Sequence, residues 1–352
     1  MADTWTSLLR GDSLSWLLER DDDHPGVRCF ALTDVLGAEP DAPEVVDARA
    51  AAMASGPVPT ILAAQHRDGY WVEPGVGYTP KYRSTCWQIT FLAQLGADRA
   101  DERVAGGCEY VLEHARADYG GFSYNGRNSG LIQCLEGNLC AALLDFGFSG
   151  DQRLDSAIDW LARSVTGAGI AAPERRKSHP VHYYRSGNSG PGFACSANGH
   201  LGCAWGAVKA MLALSRVPDG RRSEAVSAAI AAGLDFLLSR DPATADYPMA
   251  TATKPSGSWF KFGFPLGYVT DVLQNLEVLV ALGHGDDPRL ARGIELVLSK
   301  QDEHGRWPLE YTYNGKTWVD IERKGAPSKW VTLRALRVLR HVEGELLSAA
   351  NA

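Results

Sequence analysis

The sequence predicts an all-α chain closed into an (α/α)6 toroid, with six inner helices forming a barrel and six outer helices covering it. Three observations lead there. Six runs, 26–36, 82–96, 134–147, 200–215, 266–283 and 328–341, are apolar over most of a helical circumference, as a helix buried on both sides must be. The first five are each followed by a short polar turn and then a more amphipathic helix, at 44–64, 102–116, 151–165, 223–239 and 288–300. The stretch 12–20 supplies a sixth helix of the second kind, so the two ends of the chain are complementary halves of one unit and the array closes.

The inner runs are punctuated by glycine. Gly37, Gly96, Gly147 and Gly283 fall 59, 51 and 136 residues apart, and the last gap holds two units. The turns that follow, AEPDAPE, ADRADE, FSGDQR, VPDGRRSE and HGDDPR, carry Asp for helix starts. The return segments from outer to inner helix are long: 65–81, 117–133, 166–199, 240–265 and 301–327. In a barrel all of these gather where the inner helices begin. Long loops on a rigid scaffold are where sites are built, so the sequence places the functional face at that mouth. Much of the glycine excess, 37 of 352 residues, lies in them.

Composition narrows the class further. Hydrophobic residues at 45% and charged residues at 22% describe an ordered globular chain, read as a single domain over 1–352. The net charge is −7 and no basic run exceeds Arg175-Arg176-Lys177, which argues against a nucleic-acid surface. No apolar stretch is long enough for a membrane span, and the first residues lack the pattern of a signal peptide. Seven cysteines form no even ladder, so reduced thiols and a cytoplasmic location are expected. Nucleophile elbow, P-loop, dinucleotide fingerprint and His-Glu-x-x-His are all absent.

Two return loops open on one phrase. Gln65-His66-Arg67-Asp68-Gly69-Tyr70-Trp71 and Gln301-Asp302-Glu303-His304-Gly305-Arg306-Trp307 both fit Q-x3-G-x-W, and Asp118-Tyr119-Gly120-Gly121-Phe122 is a degenerate third copy. This phrase resembles the repeat of the squalene cyclase and protein prenyltransferase superfamily, over about residues 14–341, and the chain is similar to small bacterial proteins built on it. The resemblance implies a terpenoid cyclase-like toroid but no particular reaction. The Asp-x-Asp-Asp acid of class II cyclases is missing, since Arg20 stands where Asp21-Asp22-Asp23 would need its first aspartate. Asp-Asp-x-x-Asp is missing too, because Asp286-Asp287-Pro288 reads as a turn.

Candidate chemistry lies at the expected mouth. Cys134, at the start of the third inner run, and Cys195, His200 and Cys203, entering the fourth, are a possible zinc ligand set or else small buried residues. Prenyltransferases and lanthionine cyclases hold a catalytic zinc in this part of the toroid, which by resemblance favours the metal. Cys29, Cys86, Cys108 and Cys140 read as core. Asp271, inside the fifth inner run, is either a proton donor facing a cavity or a carboxylate bonded to a helix end or an arginine, and Glu136 invites the same two readings. Tyr82, Arg83, Trp259, Phe262, Phe264 and Lys329 are the substrate-binding candidates, with His182, Arg185 and Lys261 as further basic residues on that face. Glu310 and Glu322 flank an aromatic loop. The function expected is cyclisation or transfer on a small apolar molecule or modified peptide, zinc-dependent if the ligand set forms. The alternatives are a lipid- or peptide-binding toroid and a sugar-active (α/α)6 enzyme with two facing carboxylates.

Overall fold

Whether a helix of this chain is inner or outer follows from how much of its circumference is apolar. The computed structural model describes residues 4–169 and 188–342. Its helices are α1 (Ser13–Leu18), α2 (Pro25–Phe30), α3 (Pro43–Ala54), α4 (Pro57–Ala63), α5 (Thr85–Gln94), α6 (Glu102–His114), α7 (Gln133–Asp145), α8 (Gln152–Thr166), α9 (Ala204–Ser215), α10 (Glu224–Leu237), α11 (Val272–Ala281), α12 (Ala291–Ser299) and α13 (Lys329–Leu339). Helices α5, α7, α9, α11 and α13 are buried at almost every position, and α2 continues into a short π-turn, Ala31–Val35. These six pack in sequence order around an axis, and α13 returns to α2. The others form the outer layer, with α1 on α13, α3 on α2, α6 on α5, α8 on α7, α10 on α9 and α12 on α11. The molecule is an all-α toroid. Among the described residues no helix is long and apolar enough to cross a membrane.

The inner helices end as the glycines foretell. Gly37, Gly96, Gly147 and Gly283 all take positive φ. The residue after each donates its N–H back into the last turn: Ala38 to Leu32, Ala97 to Leu92, Phe148 to Leu143 and His284 to Leu279. Between α7 and α9 the approach is so close that a Cβ on Gly137 would stand 2.1 Å from the Lys209 carbonyl oxygen.

Three boundaries differ from expectation. The outer helix expected over 44–64 breaks in two at Ser55-Gly56-Pro57, where Gly56 has φ 69° and Pro57 opens α4. The fourth inner helix starts at Ala204, because 188–203 folds first into a small hairpin, β1 (Ser189–Gly190) against β2 (Ala194–Cys195). The fifth starts at Val272, with Asp271 as its extended N-cap accepting from the Gln274 N–H at 2.7 Å. Asp271 is therefore not inside the helix.

The repeated phrase has one job, done twice. After α4, the Trp71 indole donates to the Ile61 carbonyl at 2.8 Å and the Trp71 N–H to the Thr85 hydroxyl of α5 at 3.1 Å. Gln65 donates to the carbonyls of Gly69 and Arg103, the latter at the start of α6. After α12 the pattern recurs. The Trp307 indole donates to Val297 O at 2.7 Å and its N–H to the Thr332 hydroxyl of α13 at 3.0 Å. Gln301 reaches not a following helix but the start of the chain, donating to Leu8 O and accepting from Arg10 N–H. The ring closes by the same contact that links its units.

That contact needs glycine where two backbones touch. Gly305 has φ 73°, and a Cβ there would lie 2.9 Å from Gly11 O. We expect Gly305→Ala to lower stability by about 2–3 kcal/mol, from left-handed strain plus collision. Gly37→Ala, at φ 69° with no atom within 4 Å, is the control and should lose about 1 kcal/mol. Denaturant midpoints of the two variants check this difference.

Candidate functional site

Among the described residues, the return loops 65–81 and 301–327 fold over the expected mouth and place aromatic rings across it. Tyr82 stacks between Trp87 and Tyr313, with ring centroids 4.9 and 4.5 Å away, and Trp87 lies 5.0 Å from Tyr268. The loops are tied to the barrel by the Trp87 indole on Tyr78 O and the Trp318 indole on Arg83 O, both at 2.9 Å. The segment 263–268 then dips into the barrel. There Gln94 of α5 holds both main-chain groups of Leu266, and Asn138 of α7 reaches Gly267 O.

Beneath that floor, the barrel is hollow. A cavity of about 460 Å³ runs to the opposite mouth, where the inner helices end. This is the size of a pocket for a small organic ligand. Its wall is apolar at Phe30, Ala93, Ala142, Phe146, Phe264 and Val278. Its rim carries two arginine–carboxylate pairs, Arg337 with Asp34 (Nε to Oδ2, 2.8 Å) and Arg216 with Asp145 (2.7 Å), and a third, Arg334 with Glu277 (2.8 Å), lies deep beneath the floor loop. Arg49 of α3 also lines the cavity. Burial raises the Asp145 carboxyl, against the pull of Arg216, although 41% of the side chain is open to the cavity.

The candidate acids lie elsewhere. Asp271 is 2% exposed, and both of its oxygens are taken: Arg334 donates to each, the Gln274 N–H to one and the Gly263 N–H to the other. A carboxylate with four donors is an anchor for α11 and α13 rather than a proton donor. Glu136 is wholly buried outside the cavity, against the Gly121–Phe122 turn. Burial pushes it well above the usual carboxyl range, with the Phe122 N–H opposing. It stands to Phe122 as Thr85 does to Trp71, fourteen residues on in each case, so it belongs to the repeat rather than to a site. Glu310 is consumed by Lys300 and the Phe262 N–H. None of these three carboxylates lines the cavity, so the facing pairs expected from Asp271 with Glu136 or Glu310 do not form there.

The cysteine set also resolves differently. Cys195 and Cys203 flank the turn of the hairpin, and their mutual influence lowers Cys195 from the usual thiol range and raises Cys203. Cys134 lies close enough to feel their charge, and burial pushes it up to about 12. His200 sits exposed at the tip of the hairpin with φ 64°. Among the described residues no three His, Cys, Asp or Glu side chains converge to hold a metal ion. The expected zinc ligands do not gather into one group, because the left-handed pair Gly199 and His200 leaves the imidazole exposed at the hairpin tip.

Of the substrate-binding candidates only Phe264 lines the cavity, stacked on Trp330 at 4.4 Å. Phe262 packs under Lys300, Trp259 against Tyr247, and Arg83 lies exposed over Trp318. Lys329 is buried in a second, smaller cluster, where it pairs with Asp21 at 2.9 Å and covers Trp16. Lys261 lies exposed outside the cavity, and His182 and Arg185 fall outside the described residues. The cavity residues Asp34, Asp145, Arg216, Glu277, Arg334 and Arg337 went unmarked in the sequence. For all but Arg216, which follows its run, the signal was the one used for Asp271, an ionisable group within a run otherwise apolar all round. Lys209 of α9 carries it too: fully buried, bonded to Gln274, and pushed down to about 7 by burial.

No protein-family profile matches the chain, and no curated protein matches it. Solved structures similar to it include a protein from Actinoplanes, 17% identical over 83% of this chain and 99% of that one, with a TM-score of 0.36. They also include the type II terpene cyclase MstE from Scytonema, 16% identical over 84% of this chain and 96% of that one, with a TM-score of 0.31. A variant of that cyclase in complex with its substrate geranylgeranyl dihydroxybenzoate is 15% identical over the same shares, with a TM-score of 0.33.

Two outcomes follow. Asp271→Asn leaves Arg334 short of charge in a dry interior, and should cost about 3 kcal/mol in a denaturant titration. Glu322, which accepts from Ser328 and the Lys329 N–H at the start of α13, is raised by burial from 4.5 to about 7. A folded-state value above the unfolded one contributes stability below pH 4.5 that is lost as pH rises through about 7. Glu322→Gln should therefore flatten the thermal stability profile across that interval and gain most on wild type above it.

Proposed function

We propose that the chain is a terpenoid cyclase-like enzyme that admits a small, mostly apolar molecule through the mouth at the C-terminal ends of its inner helices. One observation carries this reading: the 460 Å³ axial cavity with an apolar wall and a rim of ionisable groups. The repeat resemblance is consistent with it. Apolar burial along Phe30, Ala142, Phe146 and Phe264 would hold a hydrocarbon chain by roughly 25 cal/mol per Å² covered, and the rim arginines would hold a polar or anionic head. Asp145 is the assigned proton donor, since it faces the cavity and burial raises its carboxyl.

A second reading, a binding toroid without chemistry, is favoured by the pairing of Asp34, Asp145 and Glu277 with arginines. One experiment separates them. Purified protein is incubated with geranylgeranyl dihydroxybenzoate, with binding followed by calorimetry and products by mass spectrometry. The enzyme reading expects an isomer of the probe, formed about 100-fold more slowly by Asp145→Asn. Binding without an isomer leaves the second reading standing. Ala142→Trp, which fills the cavity, should abolish binding; unchanged affinity in that variant would remove the cavity from both readings.

A further inference from the structure

We infer that Arg49 reads the head of the ligand, and that this head is a single carboxylate on an apolar chain. The inference rests on the axial cavity as the binding site and adds the charge its occupant must carry.

Three guanidinium groups stand at the open mouth, those of Arg49, Arg216 and Arg337, against the carboxylates of Asp34 and Asp145. All but one of these groups are taken. The Arg337 Nε and Nη2 atoms lie 2.8 and 2.5 Å from Asp34 Oδ2, and the Thr33 hydroxyl donates to the other Asp34 oxygen at 2.6 Å. Arg216 holds Asp145 Oδ1 at 2.7 Å and also donates to Leu212 O. Arg49 is left. Among the described residues no carboxylate stands within ion-pair distance of it, and its hydrogen bond to Pro40 O is long, at 3.4 Å. Asp47, two residues away on α3, is occupied by Arg20 and Arg28. His341 also lines the mouth, but burial and the neighbouring Arg340 hold it below the usual imidazole range, so it adds no charge at neutral pH. One positive charge therefore remains at the mouth without an anion.

Its position suits a ligand head. Arg49 belongs to an outer helix, yet it lines the inner cavity beside Phe30 and Thr33, where the apolar wall begins. It is half-buried, so part of its hydration is lost with no anion to offset that loss. A carboxylate matches the guanidinium in shape, since two oxygens meet the planar fork, and in charge. A diphosphate would bring several negative charges to a mouth with one spare cation, and would face Asp34 and Asp145 there. An alcohol would leave the guanidinium without an anion.

The test uses the whole chain and three probes that share the farnesyl chain: farnesoic acid, farnesol and farnesyl diphosphate. Each is titrated calorimetrically near neutral pH. The acid should bind about 30-fold more tightly than the alcohol, as a charge-assisted bond warrants, and more tightly than the diphosphate. In Arg49→Met, acid affinity should fall about 30-fold, to that of the alcohol, while alcohol affinity stays within about twofold. That unchanged value also shows that the variant folds. Arg49→Lys, which keeps the charge without the fork, should fall between the two. Equal affinities for acid and alcohol, or an acid preference that survives in Arg49→Met, overturn the inference; the cavity reading still stands if Ala142→Trp blocks the alcohol. Tightest binding of the diphosphate overturns it as well. Binding of all three that Ala142→Trp leaves unchanged removes the cavity, and this inference with it.

Discussion

The indole of Trp71 donates to a carbonyl ten residues upstream, and so does that of Trp307. On this bond the ring depends. It turns the chain sharply at the end of an outer helix, and the same residue's N–H is then received by a threonine on the next inner helix. Gln65 and Gln301 complete the joint sideways, each holding a carbonyl of the neighbouring outer segment. A helix pair by itself cannot cover its inner member on both sides. It must have a neighbour, and this turn sets where the neighbour stands. Because the joint is made of hydrogen bonds in a dry interior, each lost partner leaves a buried group unsatisfied.

A second constraint acts across the barrel. Arg334, 2% exposed, joins α13 to Asp271 and Glu277 of α11 and to the Gly263 carbonyl of the loop that floors the cavity. Burying a guanidinium is tolerable only with such company. The network holds the floor loop at a fixed depth, so the volume beneath it is set by electrostatics as much as by packing. Aromatic loops occupy one mouth and leave the other to the short turns.

The fold was legible because its cause is periodic. Apolar residues on all sides of six runs demand burial on both faces, and a positive-φ glycine after four of them ends the helix by a rule that needs no tertiary knowledge. The cavity was not legible. Loop length says that residues lie near a mouth, but not whether they stand open or fold inward. Here Tyr82, Trp87, Tyr268 and Tyr313 fold inward and pack on one another. Asp271 illustrates the same limit. Its sequence neighbours are those of a helix interior, yet it stands in extended conformation as the N-cap, bonded to the Gln274 N–H, and the helix starts at Val272. Cys195 and Cys203 flank one turn, as their spacing suggests. What escaped notice was the left-handed pair Gly199 and His200, which sends the imidazole outward.

The joint at Gln301 also governs how the molecule comes into being. Its partner, Leu8, lies 293 residues earlier in the chain. Every other joint links neighbours in sequence and can form as soon as its two units exist. This one must wait until the ring is all but built, at the largest loop-closure entropy in the molecule. Helix α1 can settle on α2 and its π-turn as soon as these exist, but the side it presents to α13 stays in water until α13 arrives. The seam between the two ends of the ring is the last to close.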